Sequence, residues 1–320
     1  MACRCSSAGR PRQPQQPFKK TNKNNNLNSN LPLLLAVMST LCFGVAMVTA
    51  RVGLRHLDAR AAAAVSIPMA TLLFVAAAPF TIDFASFNLA AVIIFAVVGL
   101  FYPALVTLLT FRSNEELGPT VTSAISGTAP LFAMLAAALF LHERVPPQAT
   151  LAAVGVAAGV ALMSWNPRSA HKRLAGKALL WPVAGAILRG FAQAGAKAGL
   201  LLWSNPFAAS LAGYLISTVT VLGVSQARGN QRRKLTRSGL IWFAITGVLN
   251  GSALVLMYSA LALAPVSTVA PIIAAYPLVT VIVSAFFLRT EPVSHRATAG
   301  AVITVTAIAF LVATIPRPGT

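Results

Sequence analysis

From Ser238 to Leu288 the chain runs 51 residues without a single Asp, Glu, Lys, Arg or His. At ~1.5 Å of rise per residue, one helix of that length would be more than twice as long as the ~30 Å hydrocarbon core of a bilayer is thick. The run must therefore fold back on itself. The stretch "LALAPVST" (261–268) is the place, because Pro265 has no N–H with which to continue a helical ladder. The same reading puts apolar spans near 31–53, 61–80, 87–110, 118–141, 148–165, 178–202, 206–225, 239–261, 266–288 and 298–315. The expected architecture is an all-α integral membrane protein of ten transmembrane helices.

Composition supports lipid as the solvent. Hydrophobic residues make up 57% of the chain and charged residues 10%, against about 25% charged in a typical soluble domain. The net charge of +19 arises from a scarcity of acids: Asp58, Asp83, Glu115, Glu116, Glu143 and Glu291 are the whole set. The basic residues sit between long uncharged runs and do not form a stripe on one polar face, so nucleic acid is not an expected partner. Residues 1–30 are polar, Asn-rich and basic, too poor in apolar side chains to form a core, and are expected to be a disordered tail. The apolar run after this tail is long for the core of a cleaved signal, so the first helix is expected to remain in the mature protein. Cys3, Cys5 and Cys42 offer neither a disulfide framework nor a metal-ligand spacing.

The chain is also written twice. "FGVAMVTARVGL" (43–54) aligns with "RGFAQAGAKAGL" (189–200) at an offset of 146 residues, pairing Gly44 with Gly190, Gly53 with Gly199 and the basic Arg51 with the basic Lys197. The register persists: Pro130 pairs with Pro277 and Phe140 with Phe287 at 147, and Glu143 with Glu291 at 148. Two five-helix units are therefore expected, at 31–165 and 178–315, joined by a basic linker at 166–177. An odd number of crossings starts the second unit on the opposite side of the membrane. The halves are then inverted relative to one another, with a substrate site between them, as in many secondary transporters.

The paired first-helix segments, together with "APLFAMLAAALFLHERV" (129–145) and "YPLVTVIVSAFFLRTEPV" (276–293), resemble the EamA-type domains of the drug/metabolite transporter superfamily. The likeness covers roughly residues 31–315. It implies gradient-driven movement of small metabolites, often export of amino acids or related compounds, in the inner (plasma) membrane of a bacterium with both termini cytoplasmic. It does not fix a substrate. One departure is that Glu291 lies 14 residues after Pro277, whereas Glu143 lies 13 after Pro130.

The polar positions inside apolar spans are the candidate pathway. Arg189, Gln193 and Lys197 follow one another at steps of four and share one helix face. A charge at mid-bilayer is costly and usually faces a bundle interior or a wet cavity. Such a cationic face favours an anionic or zwitterionic small-molecule substrate. For Lys197 and Arg51, a long side chain reaching to the interface is the competing explanation. In the second half Asn250, Tyr258, Tyr276 and Thr280 are candidate substrate-facing donors, with ordinary interhelical hydrogen bonding as the alternative. Pro103, Pro130, Pro271 and Pro277 each remove a backbone hydrogen bond from an apolar run, and the freed carbonyl must find a partner or line a cavity. Glu115 and Glu116 are expected in a solvated turn. Glu143 and Glu291 are expected to cap helix ends or pair with Arg144, Arg289 or Arg296.

No G-x-S-x-G, H-E-x-x-H or phosphate-binding loop occurs, so catalysis and ATP hydrolysis have no motif. His56, His142, His171 and His295 are not spaced as metal ligands, and neither a metal nor a cofactor is expected. Expected partners are the substrate and the lipid bilayer, with a second copy of the chain as a candidate. A membrane-embedded enzyme or lipid-handling protein without solute flux is the alternative reading. Orientation criteria disagree. The loops that would follow odd-numbered spans carry most loop Lys and Arg, including Arg228, Arg232, Arg233, Lys234 and Arg237, which places that side in the cytoplasm. Six Lys/Arg in the N-terminal tail and the family resemblance place the termini there instead.

Overall fold

The structure, a computed structural model, describes residues 23–82, 87–117, 119–164, 176–227, 236–287 and 295–314. The terminal tail up to residue 22, most of the basic linker, the cluster Arg228–Lys234 and Glu291 lie outside the described residues. Those described are helical, without a strand among them. The first half comprises α1 (Lys23–Gly53), α2 (Ala59–Thr81), α3 (Leu89–Gly99), a π-helical turn (Leu100–Leu105), α4 (Val106–Leu117), α5 (Pro119–Ser126), α6 (Ala129–Phe140) and α7 (Pro147–Ser164). The second comprises α8 (Leu180–Leu202), α9 (Pro206–Ala227), α10 (Arg237–Leu263), α11 (Val266–Ile273), α12 (Tyr276–Phe287) and α13 (His295–Thr314), with a short 3-10 turn (Gly176–Leu179) ahead of α8.

Among the described residues, six helices are long and apolar enough to cross a membrane, and Ala129–Phe140, Pro147–Leu162 and Thr298–Thr314 are shorter apolar helices. The outer surface is apolar too. Phe80, Phe286 and Val219 are 89%, 77% and 71% exposed, which in water would be an aggregation liability and in lipid is the ordinary state of an outward-facing side chain. Helix α8, expected as a crossing, is not one of the six. It carries Arg189, Gln193 and Lys197.

Helix starts are set by local capping, and the caps recur at equivalent positions. Asp58 accepts from Ala61 N–H ahead of α2, and Asn205, 147 residues later, accepts from Ala208 N–H ahead of α9. Asn88 caps α3 through Ala91 N–H, and Thr236, 148 residues later, caps α10 through Gly239 N–H. Different residue types do one job, since each supplies a side-chain oxygen to a free N–H of the first turn.

The two halves embrace, and several helix contacts are made twice with the halves exchanged. Helix α1 packs along α10 and α12; correspondingly α8 packs along α3–α4 and α6. Helix α2 meets α10, and α9 meets α3. The glycines show this at atomic detail. A Cβ on Gly44 would strike Val279 and the carbonyl of Tyr276, and one on Gly190 would strike Phe132 and the carbonyl of Ala129. Each partner pair is 147 residues apart. Gly53 lies on the ring of Phe243, and Gly199 lies on the ring of Phe95. Thr71 and Thr218, also 147 apart, meet each other, their hydroxyl oxygens 2.7 Å apart between α2 and α9. A residue can touch its own repeat equivalent only near an internal two-fold axis.

The fourth helix of each half is broken beside its proline. Thr128 N–H bonds Ile125 carbonyl and Leu131 N–H bonds Thr128 carbonyl; Ala275 to Ile272 and Leu278 to Ala275 repeat this pattern. Pro130 and Pro277 thus stand at helix discontinuities, but neither removes a hydrogen bond from the interior of a helix. Each proline sits in the first turn of a new helix, α6 or α12, where a missing N–H costs nothing. Pro271 does lie inside its helix, the short α11.

Candidate functional site

The third helical segment is also interrupted, and this shapes the site. Tyr102 is extended (φ −139°, ψ 120°) inside the π-helical turn, and the Tyr102–Pro103 peptide bond is cis. The carbonyl of Gly99, which Pro103 cannot serve, accepts from the hydroxyl of Ser217 on α9 at 2.6 Å, and Ser217 in turn accepts from Ala104 N–H at 3.1 Å. One serine satisfies both backbone groups released by the break, as the apolar surroundings require. The break turns the Tyr102 ring inward.

A small cavity of about 40 Å³ lies between the halves. Helix α1 supplies Phe43, Ala46, Met47 and Ala50; the interrupted segment supplies Tyr102, Pro103, Thr107, Thr110 and Phe111. Arg189 comes from α8, Tyr214 from α9, Asn250 from α10 and Tyr276 from the first residue of α12.

Arg189 dominates its electrostatics. The guanidinium carbon lies 5.9, 5.7 and 5.6 Å from the ring centroids of Phe43, Tyr102 and Tyr276. Its Nε is buried without a hydrogen-bond partner. The Tyr276 hydroxyl is buried beside the guanidinium and interacts with its charge. The ion pairs among the described residues are those of Arg112 with Glu115 and Glu116, on the protein surface. Arg189 thus has no carboxylate beside it among the described residues, only aromatic rings and the Tyr276 hydroxyl. A desolvated cation–π contact contributes about 2 kcal/mol, so the three rings together offset much of the several kcal/mol it costs to remove a charge from water.

Of the other candidate pathway residues, Asn250, Tyr276 and Pro103 also border the cavity. Tyr258 is buried in the core. Gln193, buried one turn beyond Arg189, directs Nε2 toward Met257 Sδ at 3.7 Å and leaves Oε1 unpaired. Thr280 donates to the carbonyls of Tyr276 (3.1 Å) and Gly44 (3.3 Å), tying α12 to α1. Lys197 donates to the carbonyls of Leu261 (2.6 Å) and Ala264 (3.1 Å) at the end of α10. Arg51 donates to the carbonyl of Asn114 near the end of α4 at 3.1 Å. Asn114 and Leu261 are 147 residues apart. The repeated basic residue therefore binds the C-terminal carbonyls of the third helix of its own half, where the helix dipole favours a cation.

Glu143 holds the neighbouring helix start. Its carboxylate accepts from Val266 N–H (3.1 Å), Ser267 N–H (3.0 Å) and the Ser267 hydroxyl, capping α11 from the opposite half. The capping expected of it is directed across the halves. Glu115 and Glu116 belong to the last turn of α4, which extends beyond the turn expected there, and Glu116 accepts from Trp181 Nε1 at 3.2 Å. These contacts define two ends. The finishes of α1 and α4 and the start of α8 lie together, and the cavity extends from mid-helix toward them. At the other end Glu143 bridges the halves, near Lys197.

Comparison with known proteins adds a decisive observation. The EamA-like transporter family matches residues 30–165 and again residues 176–313. The chain belongs to the EamA-like transporter family. Both family units coincide with the two halves described above. A search of curated proteins finds no significant match. Among solved structures, one described as "Crystal structure of protein" superposes with a TM-score of 0.69 at 13% identity, covering 89% of this chain and 97% of that one. At that identity the likeness speaks for the fold. Membership in the family makes the chain a multi-pass membrane protein of the transporter type.

Sequence reasoning did not single out Tyr102, Thr107, Thr110, Phe111 or Tyr214. Phe43 was visible only as the uncharged counterpart of Arg189.

Proposed function

We propose that this EamA-like protein is a gradient-driven secondary transporter that exports small metabolites by alternating access through the cavity around Arg189. In this reading the helical segments form ten crossings. The third comprises α3, the π-helical turn and α4; the fourth comprises α5 and α6; the ninth comprises α11 and α12. Five crossings per half make the halves inverted. The observation that carries the proposal is a desolvated cation on the internal two-fold, in a cavity bounded by both halves. An inverted repeat supplies two arrangements of similar energy, because helices at one end have equivalents at the other. Lys197 on the end of α10 and Arg51 on the end of α4 are such a pair. The substrate carries a negative charge, as an anion or a zwitterion, because the cavity offers it an unmatched guanidinium.

With both termini cytoplasmic, as is usual in the family, the cavity faces the exterior and the end closed by Lys197 and Glu143 faces the cytoplasm. The protein resides in the plasma membrane, the inner one in a bacterium. Flux of a metabolite panel through purified protein in sealed vesicles tests the function. Impermeant-thiol labelling of a cysteine at residue 236 in intact cells tests the orientation, and labelling from outside supports it.

A further inference from the structure

Resting on the transporter reading, the chemistry of the cavity narrows its ligand further. We infer that the site takes a monocarboxylate with an apolar or aromatic body, and discriminates against the matching zwitterionic amino acid.

Three features carry this. Among the described residues bordering the cavity there is one cation, Arg189, and no acid. Lys197 and Arg51, the nearest cationic positions along the same repeat register, are engaged with helix-end carbonyls. A single negative charge therefore neutralises the site, whereas a dianion leaves one charge uncompensated in a low-dielectric space. An amino acid brings a net charge of zero. It leaves the site as positive as before and places an ammonium within a few ångströms of a guanidinium, with no carboxylate to hold it. The second feature is how the cation is held. Three aromatic rings contact Arg189 through their π-faces, while Nε remains without a partner. A planar carboxylate matches the N–H groups of a guanidinium in a bidentate pair, and the Tyr276 hydroxyl beside Arg189 is a further donor lining the cavity. The third is the rest of the wall. Phe43, Met47, Phe111 and Tyr214 present apolar surface that rewards a hydrocarbon or phenyl body.

The test is a matched series offered to the purified full-length protein: 3-phenylpropanoate, phenylalanine, 3-phenylpropanamide and 2-phenylethylphosphonate. An aliphatic pair, 4-methylpentanoate and leucine, runs in parallel. Binding is read by titration calorimetry in detergent and movement by counterflow in proteoliposomes. In the wild-type protein each carboxylate is expected to bind at least tenfold more tightly than its amino acid, its amide or the phosphonate. In Arg189→Gln the carboxylate and the amide are expected to bind equally; Arg189→Lys restores part of the preference. Amino acids or amides that bind as well as the acids overturn the inference, as does a ranking unchanged in Arg189→Gln. Failure of all six compounds to bind also overturns it. The transporter reading falls separately, only if a broad solute panel shows no flux. The wild-type ranking needs no variant, so it stands even where a substitution impairs folding.

Discussion

Phe43 and Arg189 are equivalent residues of the two repeats, and they touch: the guanidinium carbon lies 5.9 Å from the phenyl centroid. At this repeat position the halves differ in side chain, and both side chains line the cavity. One position supplies the charge, and its equivalent supplies a face that stabilises it. Phe43→Leu keeps apolar volume and removes the π-face. Substrate Kd is expected to rise between about threefold and thirtyfold, the equivalent of ~0.5–2 kcal/mol, with little change in thermal stability. Calorimetry with any transported ligand checks this.

The glycine contacts make a prediction about packing. Gly44 and Gly190 bring α1 and α8 onto the broken fourth helices of the opposite halves. A methyl group at either position meets backbone carbonyl oxygen, which cannot swing aside. Gly44→Ala and Gly190→Ala are each expected to cost about 1–3 kcal/mol through overpacking. Gly223→Ala, where a Cβ meets nothing within 4 Å, is expected to be neutral or slightly stabilising. Thermal unfolding of the three variants in detergent, side by side, checks the contrast.

Much of this fold was legible because repetition survives in small residues. Gly44 with Gly190 and Gly53 with Gly199 could be aligned since close backbone approach tolerates no substitute, and the structure gives each pair the same contact in exchanged halves. Arg189 stood out because a charge within an apolar helix demands an explanation. The remainder of the cavity was hidden for a physical reason. Tyr102, Thr107 and Phe111 face inward because a break at Pro103 reorients their segment, and neither hydropathy nor helical period registers such a turn. The role of Arg51 and Lys197 was hidden too. Snorkelling and binding to another helix's carbonyls look identical along the sequence, and only the tertiary pairing with Asn114 and Leu261 separates them.

Glu143 fastens the closed end, so its removal should loosen that end selectively. It holds two backbone N–H groups and one hydroxyl of α11, and hydrogen bonds to a charged group are each worth about 1.5–3 kcal/mol. In Glu143→Gln a cysteine introduced at Thr268 is expected to react severalfold faster with an impermeant maleimide, in a background lacking Cys3, Cys5 and Cys42. An unchanged rate contradicts a fastening role.

The Thr71–Thr218 contact offers a direct probe of the internal axis. Thr71→Val and Thr218→Val remove the same 2.7 Å contact from opposite sides, so their effects should not add. Interhelical hydrogen bonds in membranes average ~0.6 kcal/mol, and a coupling of that order is expected from a double-mutant cycle of detergent unfolding. Strict additivity of the two substitutions contradicts the pairing.

The central claim is that solute crosses the membrane through the cavity around Arg189. It is tested most directly in sealed proteoliposomes containing the wild-type protein or Arg189→Gln, with a metabolite panel and an imposed ion gradient. The account predicts gradient-dependent flux of at least one negatively charged solute through the wild-type protein, reduced at least tenfold in a correctly folded Arg189→Gln. Absence of flux for every solute, or flux that is indifferent to the loss of Arg189, contradicts it.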